Sequence, residues 1–128
     1  MSSIELGRRG ERRAAWFYRF RGYRIVARNV RLAAGEIDLV ARRGRTLAIV
    51  EVKTRQSLAA GEGYEAVNRR KRERLVRLAT QYAGHRDDLH IRYDVLSLYW
   101  NGKRFVVSQF VDAFRPVADP RQPSKSRV

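Results

Sequence analysis

The chain contains no cysteine, only two histidines and no long apolar run. Without cysteine there can be no disulfide, no thiolate zinc site and no cysteine nucleophile. His85 and His90 stand alone in a polar stretch, which argues against a histidine-rich metal site. No segment approaches the roughly 20 apolar residues of a membrane-spanning helix, and the first residues lack the apolar region of a signal peptide. We therefore expect a cytoplasmic protein that does not enter a membrane.

Proline is scarce, and its three occurrences, Pro116, Pro120 and Pro123, all lie close to the C-terminus. A chain of 128 residues is long enough for one hydrophobic core but not for two. The proline-containing end has few apolar residues with which to form a core of its own. We predict a single domain over residues 1–114 and a flexible basic tail over residues 115–128.

Acidic residues are few, with 13 aspartates and glutamates against 28 lysines and arginines, and the net charge is +15. So basic a domain attracts polyanions, and nucleic acid is the commonest polyanion in the cytoplasm. An arginine-rich composition could also reflect a GC-rich genome, and an anionic membrane surface is a further alternative. No long amphipathic helix with a clean apolar side supports the membrane alternative. We expect a nucleic-acid partner.

The hydrophobic periodicity predicts an α/β domain with the element order α-β-β-β-α-β-β. The predicted helices and strands cover residues 7–21, 23–29, 36–42, 46–54, 65–82, 90–100 and 105–110, in that order. On the first strand, Tyr23, Ile25 and Ala27 are expected to share one face. Gly44 and the Asn101-Gly102 pair predict turns between strands. Residues 56–63 are predicted to form a loop that could act as a mobile lid.

The second and third predicted strands carry acidic residues where their apolar runs end. Side chains alternate along a strand, so Glu51 and Lys53 point the same way. Pairing of the two strands as a hairpin brings Asp38 close to Glu51. Two carboxylates and an amine would be costly to bury as idle charges. A hard divalent cation such as Mg²⁺ removes that cost because it binds carboxylate oxygens and water. We therefore predict a metal site at Asp38 and Glu51.

Three further acidic residues can be interpreted from their positions on the predicted helices and strands. Glu11 lies on the same helical stripe as Ala14, Ala15 and Tyr18, so we expect it at the edge of the buried face of the first helix. The spacing leaves two interpretations of Glu11 open: a part of the site, or a salt bridge to a neighbouring arginine. Glu36 is expected to share the strand face of Asp38 and to support the site or pair with an arginine. Asp94 is predicted to be structural.

The second predicted helix is rich in basic residues. Lys71 falls on the apolar stripe, where its amine could snorkel to solvent or approach a bound phosphate; the two interpretations remain open. Arg70 and Arg74 lie within about one helical turn of it, and Arg55 follows Lys53 at the end of the third strand. We predict that Lys71, Arg70, Arg74 and Arg55 contact nucleic acid.

The acidic residues and the lysine resemble the PD-(D/E)xK nuclease superfamily, with Asp38 as the lone acid and Glu51-Val52-Lys53 as the E-x-K element. The first proline of that motif is absent. The placement of Glu11 on the first helix is similar to that in archaeal Holliday junction resolvases. A closer resemblance, covering roughly residues 7–100, is to the bacterial YraN-like family (uncharacterised protein family 0102). The segments that carry it are Gly10-Glu11, Gly22-Tyr23, Arg28-Asn29, Gly35-Glu36-Ile37-Asp38-Leu39, Val50-Glu51-Val52-Lys53-Thr54-Arg55, Glu65-Ala66-Val67, Lys71 and Arg92-Tyr93-Asp94.

The resemblance implies a restriction-endonuclease-like fold, with a central mixed five-stranded sheet flanked by helices. The resemblance does not by itself supply a substrate; we expect a Mg²⁺-dependent endonuclease, with Mn²⁺ as a substitute, that acts on structured or branched DNA. Asp38 and Glu51 would hold one or two metal ions, together with the main-chain carbonyl of Val52. Glu11 would complete the metal shell directly or through water, and Lys53 would position the attacking water and help to deprotonate it.

Two functions of other classes remain open beside the nuclease, and fold alone does not choose between them. The protein could bind nucleic acid with the same fold but without turnover, or it could be an interaction scaffold with a vestigial site. Clustered acids favour the enzyme, because they repel phosphate unless a cation intervenes. The protein could act alone or as a homodimer.

Overall fold

The computed structural model describes residues 1–56, 69–84 and 86–111, without the side chains of Arg69 and Lys71. Most of the predicted lid and the whole predicted tail therefore lie outside the described residues. The elements are α1 (Ser3–Arg19), β1 (Arg24–Leu32), β2 (Gly35–Arg43), β3 (Thr46–Arg55), α2 (Arg69–Ala83), β4 (His90–Trp100) and β5 (Phe105–Phe110). This order confirms the predicted one. Neither of the two described helices is long and apolar enough to cross a membrane.

The start of α1 lies earlier than predicted because a polar residue caps it. The side chain of Ser2 accepts a hydrogen bond from the backbone N–H of Glu5 at 3.1 Å. Serine is favoured at this position because it satisfies one of the N–H groups that the first helical turn leaves without a partner. A capping residue so close to the chain start lies outside the apolar stripe from which the helix was predicted.

The five strands form one mixed sheet in the order β1-β2-β3-β4-β5. Neighbouring strands are antiparallel except β3 and β4, which run parallel. A parallel pair needs a crossover connection, usually a helix, and α2 lies between β3 and β4 in the chain. The predicted α/β fold with a central mixed five-stranded sheet flanked by helices is therefore confirmed.

Apolar side chains cover the sheet on both faces. One cluster joins α1 to the sheet through Ala14, Ala15, Phe17, Tyr18, Leu39, Ala41, Ala48, Val50, Leu96 and Leu98. The other joins α2 to the opposite face through Leu75, Leu78, Ala79, Ile37, Val40, Leu47, Ile49, Tyr93 and Val95. Leu47 to Val50 alternate between the two clusters, as expected for a central strand buried on both sides.

The prediction that Tyr23, Ile25 and Ala27 share one face of β1 was wrong. Tyr23 and Ile25 pack on the α1 side of the sheet, whereas Ala27 packs on the α2 side. The cause is a register shift between Ile25 and Ala27 in the pairing of β1 with β2. An extra residue in one strand reverses the faces of the residues that follow it. Strict alternation, on which the prediction rested, cannot reveal such a bulge.

A buried polar network ties α1 to β4. Asp94, which is 1% exposed, accepts a hydrogen bond from the hydroxyl of Tyr18 at 2.7 Å. It also accepts two from the guanidinium of Arg92, at 2.9 and 2.8 Å. Burial and the neighbouring Asp94 carboxylate raise the pKa of Tyr18 far above its usual value, so the phenol remains a donor. These contacts support the structural role that the sequence predicts for Asp94.

A glycine allows α1 to lie directly on the end of β3. A Cβ atom at Gly10 would lie 3.0 and 3.1 Å from Cγ2 and Cβ of Thr54, and closer still to its Oγ1. Real Cβ atoms almost never make such short contacts, so any larger residue would push the helix away from the strand. This close approach holds the next residue, Glu11, near the end of β3.

We expect Gly10→Ala to lower the free energy of unfolding by about 1–3 kcal/mol, the usual cost of overpacking a fitted contact. Gly7→Ala is the matched control in the same helix, because nothing lies within 4 Å of its added Cβ. The control should gain up to about 1 kcal/mol from the better helix propensity of alanine. Urea unfolding of both variants measures the difference, and equal stability of the two would contradict the close approach described here.

Candidate metal centre at the fork of β2 and β3

The candidate centre lies where the central sheet divides. The ladder between β2 and β3 ends at the pair formed by Leu39 and Val50. Beyond it, β2 remains paired with β1 as far as Gly35, while β3 remains paired with β4 as far as Arg55. The two strands therefore separate at the positions of Asp38 and Glu51, and an opening forms between them.

Asp38 bridges this opening with its side chain. Its Oδ2 accepts a hydrogen bond from the backbone N–H of Val52 at 2.8 Å. The carboxylate thus supplies a link between β2 and β3 beyond the last pair of the main-chain ladder. Val52 is the residue whose carbonyl the resemblance implicates in metal binding, so the bond places Asp38 directly beside that part of β3.

The charge of Asp38 is poorly compensated. The pKa of Asp38 is raised to about 6, chiefly by burial; the hydrogen bond from the Val52 N–H opposes the rise, and the carboxylates of Glu51, Glu11 and Glu36 add to it. Glu51 is half-buried, and its Oε2 lies out of contact with solvent. A cation placed between these acids would favour their ionised forms, because opposite charge lowers a carboxyl pKa.

Glu11 approaches Asp38 from α1. It is half-buried, and its Oε2 accepts a hydrogen bond from Nδ2 of Asn29 at 3.4 Å. Of the two interpretations left open by the sequence, the salt bridge to a neighbouring arginine finds no counterpart in the described residues. The charge of Glu11 does act on Asp38, which is consistent with its place in the predicted site.

Lys53 and Glu51 lie on the same side of β3. The strand runs without interruption in its pairing with β4, so both side chains share the face of Leu47 and Ile49, which α2 covers. Lys53 is half-buried. The fork thus receives Asp38 from β2, Glu51 and Lys53 from β3, and Glu11 from the opposite face.

The arrangement provides two close carboxylates rather than a larger cluster. Within residues 1–56, 69–84 and 86–111, no group of three or more histidine, cysteine, aspartate or glutamate side chains is placed to hold a metal ion. Mg²⁺ is often bound by only one or two carboxylates and keeps several water ligands. Asp38 and Glu51 are two such carboxylates; the parts predicted for the Val52 carbonyl and for Glu11, directly or through water, stay predictions.

The predicted nucleic-acid contacts lie on one flank of the fork. Arg70 and Arg74 are exposed on α2, and Arg55 is half-buried at the end of β3. The Cδ of Arg74 lies 3.7 Å from the position of a Cβ atom at Gly35, so its stem packs at the start of β2, three residues before Asp38. The side chain of Lys71 lies outside the described part of the chain. Glu36 is exposed.

Asn29, which the sequence predicted only as part of the Arg28-Asn29 segment of the resemblance, is a further residue at the candidate site. It has a positive φ of 51°, a conformation that asparagine tolerates better than most residues. The pairs that flank it, Arg28 with Leu39 and Val30 with Ile37, place it opposite Asp38. Asparagine is depleted in strands, and its presence inside a predicted strand is the signal that could have drawn attention to it.

The raised pKa of Asp38 predicts how stability depends on pH without metal. An unfolded aspartate titrates near pH 3.9, whereas Asp38 in the fold titrates at about 6, so the folded state binds more protons between these values. Stability should therefore fall by roughly 2 kcal/mol as the pH rises from about 4 to 6, and then level off. Urea unfolding in EDTA should show this loss in the wild type and not in Asp38→Asn. Parallel losses in both proteins would contradict the assignment.

Comparison with known proteins identifies the family. The model of a family described as "Uncharacterised protein family UPF0102" matches residues 10–98, a range that includes Glu11, Asp38, Glu51 and Lys53. A UPF0102 protein of Syntrophotalea carbinolica is 41% identical over 113 residues, 87% of this chain and 92% of its own. One of Parvibaculum lavamentivorans is 43% identical over 122 residues, 91% of this chain and 86% of its own. One of Nocardia farcinica is 45% identical over 112 residues, 85% of this chain and 88% of its own. The chain therefore belongs to the UPF0102 family, the YraN-like family that its motifs resemble.

Proposed function

We propose that this protein is a Mg²⁺-dependent endonuclease that hydrolyses phosphodiester bonds in structured or branched DNA. The observation that carries the proposal is the fork between β2 and β3, where Asp38 and Glu51 meet beside Lys53. Asp38 has a pKa raised to about 6 by burial and by its acidic neighbours. A bound divalent cation would favour the ionised forms of two such neighbouring carboxylates.

The residues present fit Mg²⁺ by their chemistry. Asp38, Glu51 and the carbonyl of Val52 offer only oxygen atoms, which hard cations prefer. The chain contains no cysteine, and His90, the histidine within the described residues, lies at the start of β4 opposite Thr46 and not at the fork. A soft metal such as Zn²⁺ would normally take sulfur or nitrogen ligands. Mg²⁺, with Mn²⁺ as its substitute, is therefore the cofactor we assign to Asp38 and Glu51.

In the proposed reaction the oxygen of a water molecule forms a bond to phosphorus as the bond to the leaving oxygen breaks. A bound Mg²⁺ ion would stabilise the charge that develops on the phosphoryl and leaving oxygens. Lys53 would position the water and help to remove its proton. Glu11, held by Asn29, would complete the ligand shell of the metal directly or through water. The departing oxygen would take its proton from solvent.

The charge distribution supports a nucleic-acid substrate. The net charge of +15 favours a polyanionic partner. Arg74 lies beside the start of β2, and Arg55 follows Lys53 at the end of β3. The acids would repel a phosphate group in the absence of a cation, so they are a disadvantage in a protein that only binds nucleic acid. The choice of DNA, and of structured DNA in particular, comes from the resemblance to the resolvases.

A nucleic-acid-binding protein without turnover is the second candidate. It is favoured by the finding that the described residues contain no cluster of three or more metal-ligand side chains. In that case the positive surface would act alone and the acids of the fork would be vestigial. The two candidates differ in their response to metal and in cleavage, which the following experiments measure.

We expect Mg²⁺ to raise the melting temperature of the wild type, since a ligand that binds only the folded state stabilises it. Asp38→Asn and Glu51→Gln should each lose this rise, because each removes one charged ligand while keeping nearly the same shape. Glu5→Gln is the matched control: it makes the same change at an exposed acid in the first turn of α1, which is not among the carboxylates that act on Asp38, and it should keep the rise. A full metal response in both Asp38→Asn and Glu51→Gln would refute the site.

Lys53→Met should lower the rate of DNA cleavage at least 100-fold, the usual scale for loss of a general acid-base group. DNA affinity should change little, because the proposed role of Lys53 lies in the transition state. A screen of junction, flap and nicked DNAs with Mn²⁺ supplies the substrate. Lys103→Met, an exposed lysine in the loop between β4 and β5, is the control. Equal cleavage by Lys53→Met and Lys103→Met on every active substrate would exclude the mechanism.

A further inference from the structure

A pocket lies between α1 and β1, on the opposite side of the sheet from α2. Arg8, Glu11 and Arg12 line it from the helix, and Arg28 and Asn29 line it from the strand; its volume is about 240 Å³. That is several times the volume of about 30 Å³ that one water molecule occupies in the liquid. The pocket can therefore hold a group larger than a single water.

The electrostatic character of this pocket is positive. Three guanidinium groups face one carboxylate, and all three arginines are exposed. In the part of the chain that the structure describes, none of the three forms an ion pair or donates a side-chain hydrogen bond, whereas Glu11 is held by Asn29. The arginines are therefore not used to neutralise Glu11. Guanidinium groups have planar, forked donors that match the oxygens of a phosphate group.

The pocket adjoins the candidate metal centre. Glu11 lines the pocket and also acts on the charge of Asp38. Asn29 lines it and lies opposite Asp38 across β1 and β2. A backbone that passed over the fork would meet Arg70 and Arg74 on the α2 side and these arginines on the α1 side. The pocket thus adds basic residues on the α1 side of the sheet, where none of the predicted nucleic-acid contacts lies.

We propose that Arg8, Arg12 and Arg28 form a subsite that binds one backbone phosphate of DNA, next to the phosphate that is hydrolysed. This inference rests on the proposed function, since it assumes that DNA crosses the fork. The bound phosphate keeps its ester bonds, because Asp38 and Lys53 do not line the pocket. Its role is to hold the strand in register while the neighbouring phosphate lies at Asp38 and Glu51.

The test is a comparison of salt-dependent DNA binding, measured in EDTA so that no cleavage occurs. The probe is a fluorescein-labelled DNA junction with short arms of arbitrary sequence. The first variant combines Arg8→Gln, Arg12→Gln and Arg28→Gln. The matched control combines Arg19→Gln, Arg24→Gln and Arg45→Gln, which are exposed arginines away from the fork, and it changes the net charge by the same amount.

We expect the pocket variant to bind at least tenfold more weakly than the control, with a slope of log affinity against log salt that is shallower by about 0.9 for the lost phosphate contact. Equal affinity and slope in the two variants would overturn the subsite and assign binding to the overall charge. The two variants should keep the melting temperature of the wild type within a few degrees, which shows that both are folded.

A second measurement separates a backbone phosphate from a free phosphate ion. Titration of the wild type with inorganic phosphate in a calorimeter should show no binding at millimolar concentrations, since the pocket takes a phosphate that the rest of the DNA holds in place. Tight phosphate binding, lost in the pocket variant while DNA affinity is unchanged, would overturn the proposal. Both measurements record binding and not cleavage. If the pocket binds DNA as expected but no substrate is cleaved, the proposed function is refuted while the subsite is not.

Discussion

The rest of the site depends on the separation of β2 and β3 at Asp38. While the strands are paired, their side chains belong to the two packed faces of the sheet and lie among apolar neighbours. Once they separate, the carboxylate of Asp38 occupies the opening and bonds to the Val52 N–H. It is then close enough to other carboxylates for burial and mutual repulsion to raise its pKa to about 6. The fold thus places a buried carboxylate among acidic neighbours where β2 and β3 separate, and the proposed cation site rests on that arrangement.

The position of α1 determines what surrounds the fork. Gly10 allows the helix to contact Thr54 at the end of β3, and the bond between Tyr18 and Asp94 fixes the other half of the helix over β4. Between these two contacts, Glu11 reaches Asn29 and the arginines of the same helix line the neighbouring pocket. One packed helix therefore places both an acid beside the candidate metal and basic groups beside a candidate phosphate.

Much of the fold was predictable because it is determined by regular patterns. Alternation along β3 predicted that Glu51 and Lys53 share one side of the strand. The apolar stripe of α1 predicted that Glu11 lies at the edge of the buried face. Pairing of β2 and β3 as a hairpin predicted that Asp38 approaches Glu51. The bulge before Ala27 and the left-handed conformation of Asn29 could not be predicted in this way, since each interrupts the alternation on which the prediction relies. The pocket of Arg8, Arg12 and Arg28 could not be predicted either, because it forms only when α1 packs beside β1. In the sequence, arginines at these positions look the same as arginines on any solvent-exposed surface.

The most direct measurement is a crystal structure of the protein soaked in Mn²⁺, with anomalous scattering recorded at a wavelength where manganese scatters strongly. A metal bound as proposed gives an anomalous peak between the carboxylates of Asp38 and Glu51, within about 2–2.5 Å of an oxygen of each, as expected for hard-cation ligands. The same soak of Asp38→Asn crystals should give no peak there. Wild-type crystals that show no manganese at the fork, or show it only at another site, would contradict the account.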